Sequence, residues 1–160
     1  MNEMQEKNLK RLKLANMIAL VITAISIVSG LITIPRVLHP SIYKSKIFGK
    51  EGMVLYEFWN HPFVKIFTIL TVIITIVFLV LFFLSNKQIK EKQLPKKSIY
   101  YFYLLLSLIQ LIYNLVFALK NTLKGSSSNL VIMSIIYTLI LNLPAILAIV
   151  YIFKLEEANN

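Results

Sequence analysis

Six neutral polar side chains, Ser107, Gln110, Asn114, Ser134, Thr138 and Asn142, sit at helical spacing inside otherwise apolar stretches of a 160-residue chain. With Tyr103, the first three recur at intervals of four, three and four residues, so on a helix they fall within about 60° of one another. Ser134, Thr138 and Asn142 are each four apart and cover about 80°. Hydroxyls and primary amides in this pattern offer two chemistries. They can line a path for a neutral or weakly polar solute, or they can hydrogen-bond to each other and close a seam between two helices. Counting about 1.5 Å per residue from the inner helix ends puts Gln110 and Asn142 level at about 16 Å. Those two amides are expected to pair, and the pairing favours the closed seam.

Other chemistry is sparse. His39-Pro40 and His61-Pro62 bracket the longest polar segment, 36–62, but two imidazoles alone make a poor metal site, so no metal or cofactor is expected. The chain has no cysteine, which removes disulfides, thiolate catalysis and thiolate metal sites together. No Asp, Glu, Lys, Arg or His falls deep within an apolar run, where such residues mark proton relays, ion pathways and embedded catalysis. A Ser/His/Asp set, a phosphate-cradling glycine loop and paired carboxylates are also missing from the polar segments. An enzyme is not expected.

The elements that must position the polar residues follow from composition. The chain is 58% hydrophobic and 15% charged, with its apolar residues gathered into runs at 14–34, 64–84, 99–119 and 130–153. A hydrocarbon core of about 30 Å needs roughly 20 helical residues, and each run meets that length. None alternates as a barrel strand must. The fold class is therefore an all-α integral membrane protein, a single membrane domain over 1–160 with four transmembrane helices in an antiparallel bundle.

The net charge of +10 flanks these runs and forms no single basic face, so nucleic acid is not an expected partner. Ten of the 17 Lys and Arg lie in the N-terminal head, the 85–98 loop and the C-terminal tail. This bias puts both termini and the 85–98 loop in the cytoplasm, with loops 35–63 and 120–129 outside. The basic clusters then face anionic lipid, at about 1 kcal/mol per charge. A basic head before an apolar run also describes a signal peptide. Here the run is too long and its small-residue site, Val28-Ser29-Gly30, too deep, so an uncleaved signal anchor is expected. The lack of Asp and the wealth of Ile, Leu, Lys and Asn read as an AT-rich bacterial genome, which makes the location a bacterial plasma membrane.

Along the chain, Ala19, Thr23, Ser26, Gly30 and Thr33 form a small-residue face suited to close helix packing, with Thr68, Thr71 and Thr75 as its simplest facing partners. Pro35 is expected to end the first helix. Between helices 1 and 2, strands at 41–48 and 53–59 would pair across Gly49-Lys50-Glu51-Gly52 as a small external hairpin, with a short amphipathic interfacial helix as the competing form. Tyr56 and Trp59, then Tyr100 and Tyr101, stand where aromatic residues anchor a chain at the headgroups, and Lys65 is placed to snorkel. Gly125-Ser126-Ser127-Ser128 reads as an external turn. Pro144 removes one backbone bond from the fourth helix, and a kink or local unwinding is expected there.

These features point to a non-catalytic membrane protein acting through protein–protein contacts, as an accessory or stabilising subunit of a membrane complex or an immunity-type protein. The expected partners are the lipid bilayer and a membrane protein or a second copy. The alternative is a small oligomeric channel or transporter for a neutral or weakly polar solute, lined by Ser107, Gln110, Asn114, Thr138 and Asn142.

Overall fold

An apolar run that satisfies its own backbone hydrogen bonds is a helix, and helix is what the runs adopt. The computed structural model describes residues 3–44, 49–122 and 128–158, and among them there are five α-helices, one 3-10 helix and no strand. They are α1 (Glu3–Leu38), the 3-10 helix η1 (Pro40–Lys44), α2 (Gly49–Asn60), α3 (Pro62–Lys90), α4 (Lys97–Thr122) and α5 (Ser128–Glu157). The Gly125–Ser127 part of the expected turn lies outside the described residues, and Ser128 opens α5.

The helix ends follow local chemistry. Glu3 and Glu6 in the first turn of α1, and Arg36 in its last, complement the helix dipole. Pro35 does not end α1 as expected. The missing amide forfeits only one bond near the end of the helix, while the Pro35 carbonyl accepts from the His39 amide at 2.9 Å, so the helix runs on to Leu38. Pro62 occupies the first position of α3, where a lost amide hydrogen matters least. In α5 the helix continues through Pro144 without unwinding.

The hairpin is absent. Pro40–Lys44 forms η1, and Gly49, at φ 53°, leads into the twelve-residue α2, so the helical alternative holds. The alternation in this segment supplies no continuous strand face, and Gly52, expected in the loop, is buried within α2. Residues 45–48 lie outside the described residues.

The chain forms two compact units, Met1–Val21 with Leu81–Asn160, and Ile22–Val80. In the second unit η1 packs against α2, with Lys44 Nζ 4.0 Å from the centre of the Tyr56 ring. Asn60 Nδ2 donates to the Tyr56 hydroxyl at 3.3 Å, and Lys65 Nζ donates to Asn60 Oδ1 at 3.0 Å, so Lys65 is held at the start of α3. Gly30 of α1 meets Val72 of α3: a Cβ added to Gly30 would lie 2.5 Å from Val72 Cγ2. Of the small-residue face, Ala19 and Thr23 are buried and Gly30 makes this close approach, whereas Ser26 is exposed and bonds back to the Ile22 carbonyl. Thr75 likewise donates to the Thr71 carbonyl at 2.7 Å.

Gly30→Ala is therefore expected to destabilise the protein. Overpacking against the stiff Val72 side chain costs about 1–3 kcal/mol, and the better helix propensity of alanine offsets at most about 1 kcal/mol. Unfolding in mixed micelles should show the loss, and Val72→Ala added to Gly30→Ala should restore stability.

In the first unit α4 packs along α5. Lys97 Nζ bonds Glu156 Oε2 at 2.6 Å, and Ser107 meets Asn142, so the two helices run antiparallel. Gln5 Nε2 donates to the Ala158 carbonyl at 2.9 Å, fastening the start of α1 to the end of α5. The buried interior of this unit holds Leu12, Ala15, Asn16, Phe82, Ile89, Tyr100, Ala145, Ala148 and Ile152.

Candidate functional site

Two polar networks lie among apolar side chains in the first unit. In the one that the spacing points to, Asn142 is buried and its amide donates twice, to Ser107 Oγ at 2.5 Å and to the Thr138 carbonyl at 2.7 Å. Thr138 Oγ1 in turn donates to the Ser134 carbonyl at 2.8 Å. The Ser107–Asn142 bond thus joins α4 to α5, while the bonds to the Thr138 and Ser134 carbonyls stay within α5.

The expected Gln110–Asn142 pair does not form. Asn142 directs both donors to Ser107 and Thr138, and its Oδ1 has no hydrogen-bond partner among the described residues. Gln110 is half-buried, and Asn114 is exposed. The difference between 107 and 110 is about 4.5 Å along the axis, less than one turn, and counting from assumed helix ends is too coarse to separate them.

The second network has no counterpart in the spacing of polar residues. Tyr100 is completely buried and its hydroxyl donates to Asn16 Oδ1 at 2.8 Å, while Asn16 Nδ2 donates to the Phe82 carbonyl at 3.0 Å. The Phe82 ring lies 5.6 Å from the Tyr100 ring and 5.1 Å, edge-on, from that of Tyr103. Ser85, also fully buried, is beside the phenol. Three helices, α1, α3 and α4, are tied by one amide. Tyr100 is consequently no interfacial anchor, since an anchor must present its hydroxyl to headgroups and this one is bonded internally. Tyr101 is 47% exposed and Tyr56 and Trp59 are half-buried, which leaves these three open to an interfacial role.

The sequence carries a signal for Asn16. Asn8, Leu12, Ala15, Asn16, Ala19 and Thr23 share one helical face and are all buried, so the buried face continues about three turns toward the N-terminus. A span that starts at Leu14 puts Asn16 at its edge, where an asparagine needs no partner.

Outside these networks, Pro35, Arg36, His39, Ser41 and Ile42 line a cleft of about 360 Å³ holding one guanidinium and one imidazole. A second cleft, of about 230 Å³, lies between the start of α1 and the end of α3. Among the described residues no three of His, Asp and Glu gather where they could hold a metal ion.

Comparison with protein-family models, curated proteins and solved structures returns no match. The class follows from the helices. Four of them are long and apolar enough to cross a membrane, over Glu3–Leu38, Pro62–Lys90, Lys97–Val116 and Ile132–Glu157, which is the pattern that suggests a multi-pass helical membrane protein.

Proposed function

We propose that this is a non-catalytic membrane protein that works through helix and loop contacts with a partner, as an accessory or stabilising subunit of a membrane complex or an immunity-type protein. It sits in a bacterial plasma membrane as an antiparallel four-helix bundle, with both termini on the cytoplasmic side among anionic lipids. The observation that carries this reading is the donor set of Asn142, engaged entirely within α4 and α5. Donors engaged in this way hold helices in register and are not offered to a passing solute, although Asn142 Oδ1 has no partner among the described residues.

The outward surface supports the same reading. Of the most apolar stretch of each candidate span, between 6% and 33% is buried, and the exposed surface of the spans is mainly aliphatic and aromatic. Such a surface suits lipid or the helices of another membrane protein. Helix α2, with Tyr56 and Trp59, adds a structured element between the first two candidate spans in the chain.

Purification of the full chain from native membranes in mild detergent tests the proposal. A stoichiometric second protein, or a defined homo-oligomer, is the expected result. A clean monomer with no companion, together with solute flux into proteoliposomes that Asn142→Leu abolishes, would overturn it.

A further inference from the structure

Four lysines are among the residues that line one cleft. Lys10 and Lys13 of α1 and Lys90 and Lys92 at the end of α3 line the 230 Å³ space together with Glu6 and the apolar Leu9 and Ile89. Four ammonium groups against one carboxylate leave a local charge of about +3, which favours a compact, multiply charged anion.

A backbone feature at the same place is independent of charge. After α3 the chain turns through a Schellman motif: the Gln93 amide donates to the Gln88 carbonyl at 2.9 Å, and the Lys92 amide to that of Ile89 at 3.1 Å. The left-handed residue this motif needs is ordinarily glycine, yet the position is taken by Lys92, at φ 60°. It is the one non-glycine residue with positive φ among the described residues. Lys92 thus holds a backbone conformation that costs a side chain energy, and it is one of the residues that line the cleft.

We infer that this cleft is a binding site for a phosphomonoester. Its dianion matches the excess charge better than a singly charged diester does. The lysine ammoniums donate to the phosphoryl oxygens as point charges, and Leu9 and Ile89 give an apolar wall for whatever carries the phosphate. The phosphate can come from the headgroup of a lipid such as phosphatidic acid or from solution. The inference stands on the cleft and does not depend on the proposed partner.

The test uses the full chain in lipid nanodiscs. Thermal unfolding is followed in neutral phosphatidylcholine, in the same lipid with added phosphatidic acid, and in neutral lipid with inorganic phosphate in the buffer. Saturable stabilisation by phosphatidic acid alone assigns the lipid source, and stabilisation by inorganic phosphate as well assigns a site open to soluble ligands. Lys92→Gly suits the backbone and should itself raise the unfolding midpoint, while weakening the apparent affinity about fivefold, as the loss of one surface lysine charge implies. Lys96→Gln removes an equal charge outside the cleft and should leave affinity within about twofold, and Glu6→Gln should strengthen binding. Absence of saturable stabilisation in both arms would overturn the inference. So would equal weakening by Lys92→Gly and Lys96→Gln, which is the signature of diffuse attraction.

Discussion

Replacing Tyr100 by alanine is expected to lower stability by about 3–5 kcal/mol, a large fraction of the roughly 5–15 kcal/mol that holds a typical domain folded. Tyr100 heads the fully buried side chains by volume, touches the Phe82 ring and donates its hydroxyl to Asn16 Oδ1. Alanine leaves a cavity and strips that carbonyl oxygen of the phenol's bond at the same time. Tyr100→Phe keeps the volume and the ring contact and removes only the hydroxyl, so its loss should be about 1 kcal/mol. Unfolding of the two variants in mixed micelles separates packing from hydrogen bonding. Equal losses would mean that the phenol is held by its hydroxyl and the ring contributes little.

Asn16→Leu is expected to cost about 2 kcal/mol although leucine is close in size and belongs in lipid. Asn16 is completely buried and bonds both the Phe82 carbonyl and the Tyr100 hydroxyl, so the substitution strips that hydroxyl of its amide acceptor and leaves Ser85 as the polar side chain beside it. Losing that acceptor makes the effect larger than the two bonds themselves. Adding Tyr100→Phe removes the hydroxyl as well, and the double variant should lose less than the sum of the single losses by about 1 kcal/mol. Strict additivity in that cycle would show that Asn16 and Tyr100 do not interact.

These two residues also mark where reading residues in order stops being informative. The four long helices were legible because length and hydropathy in lipid leave the backbone no other choice. The α4–α5 seam was legible because Ser134, Thr138 and Asn142 repeat at four-residue intervals on one face. Its register was not, since Ser107 and Gln110 share the face and differ by less than a turn. Pro35 and the 36–62 segment misled for a common reason. A proline near a helix end and a glycine pair in a polar stretch are compatible with either continuation or a break; the His39 amide bonds the Pro35 carbonyl and α1 runs on, and η1 packs against α2 where strands were expected. Asn16 was missed because a span taken to start at Leu14 puts it at the edge, where an asparagine needs no partner, and because Tyr100, its actual partner, is also the residue type that anchors helices at headgroups.

The most direct test of a closed seam uses the absence of cysteine, which makes any introduced thiol a unique probe. Asn142→Cys in membranes is exposed from either side to a membrane-impermeant, water-soluble thiol reagent, with Gln93→Cys as the loop control. Position 93 follows the end of α3, is exposed, and should react from one side. Position 142 is expected to stay unlabelled until the protein is denatured. Rapid labelling of position 142 in the folded protein would put water at the seam and contradict the reading that its polar groups serve each other.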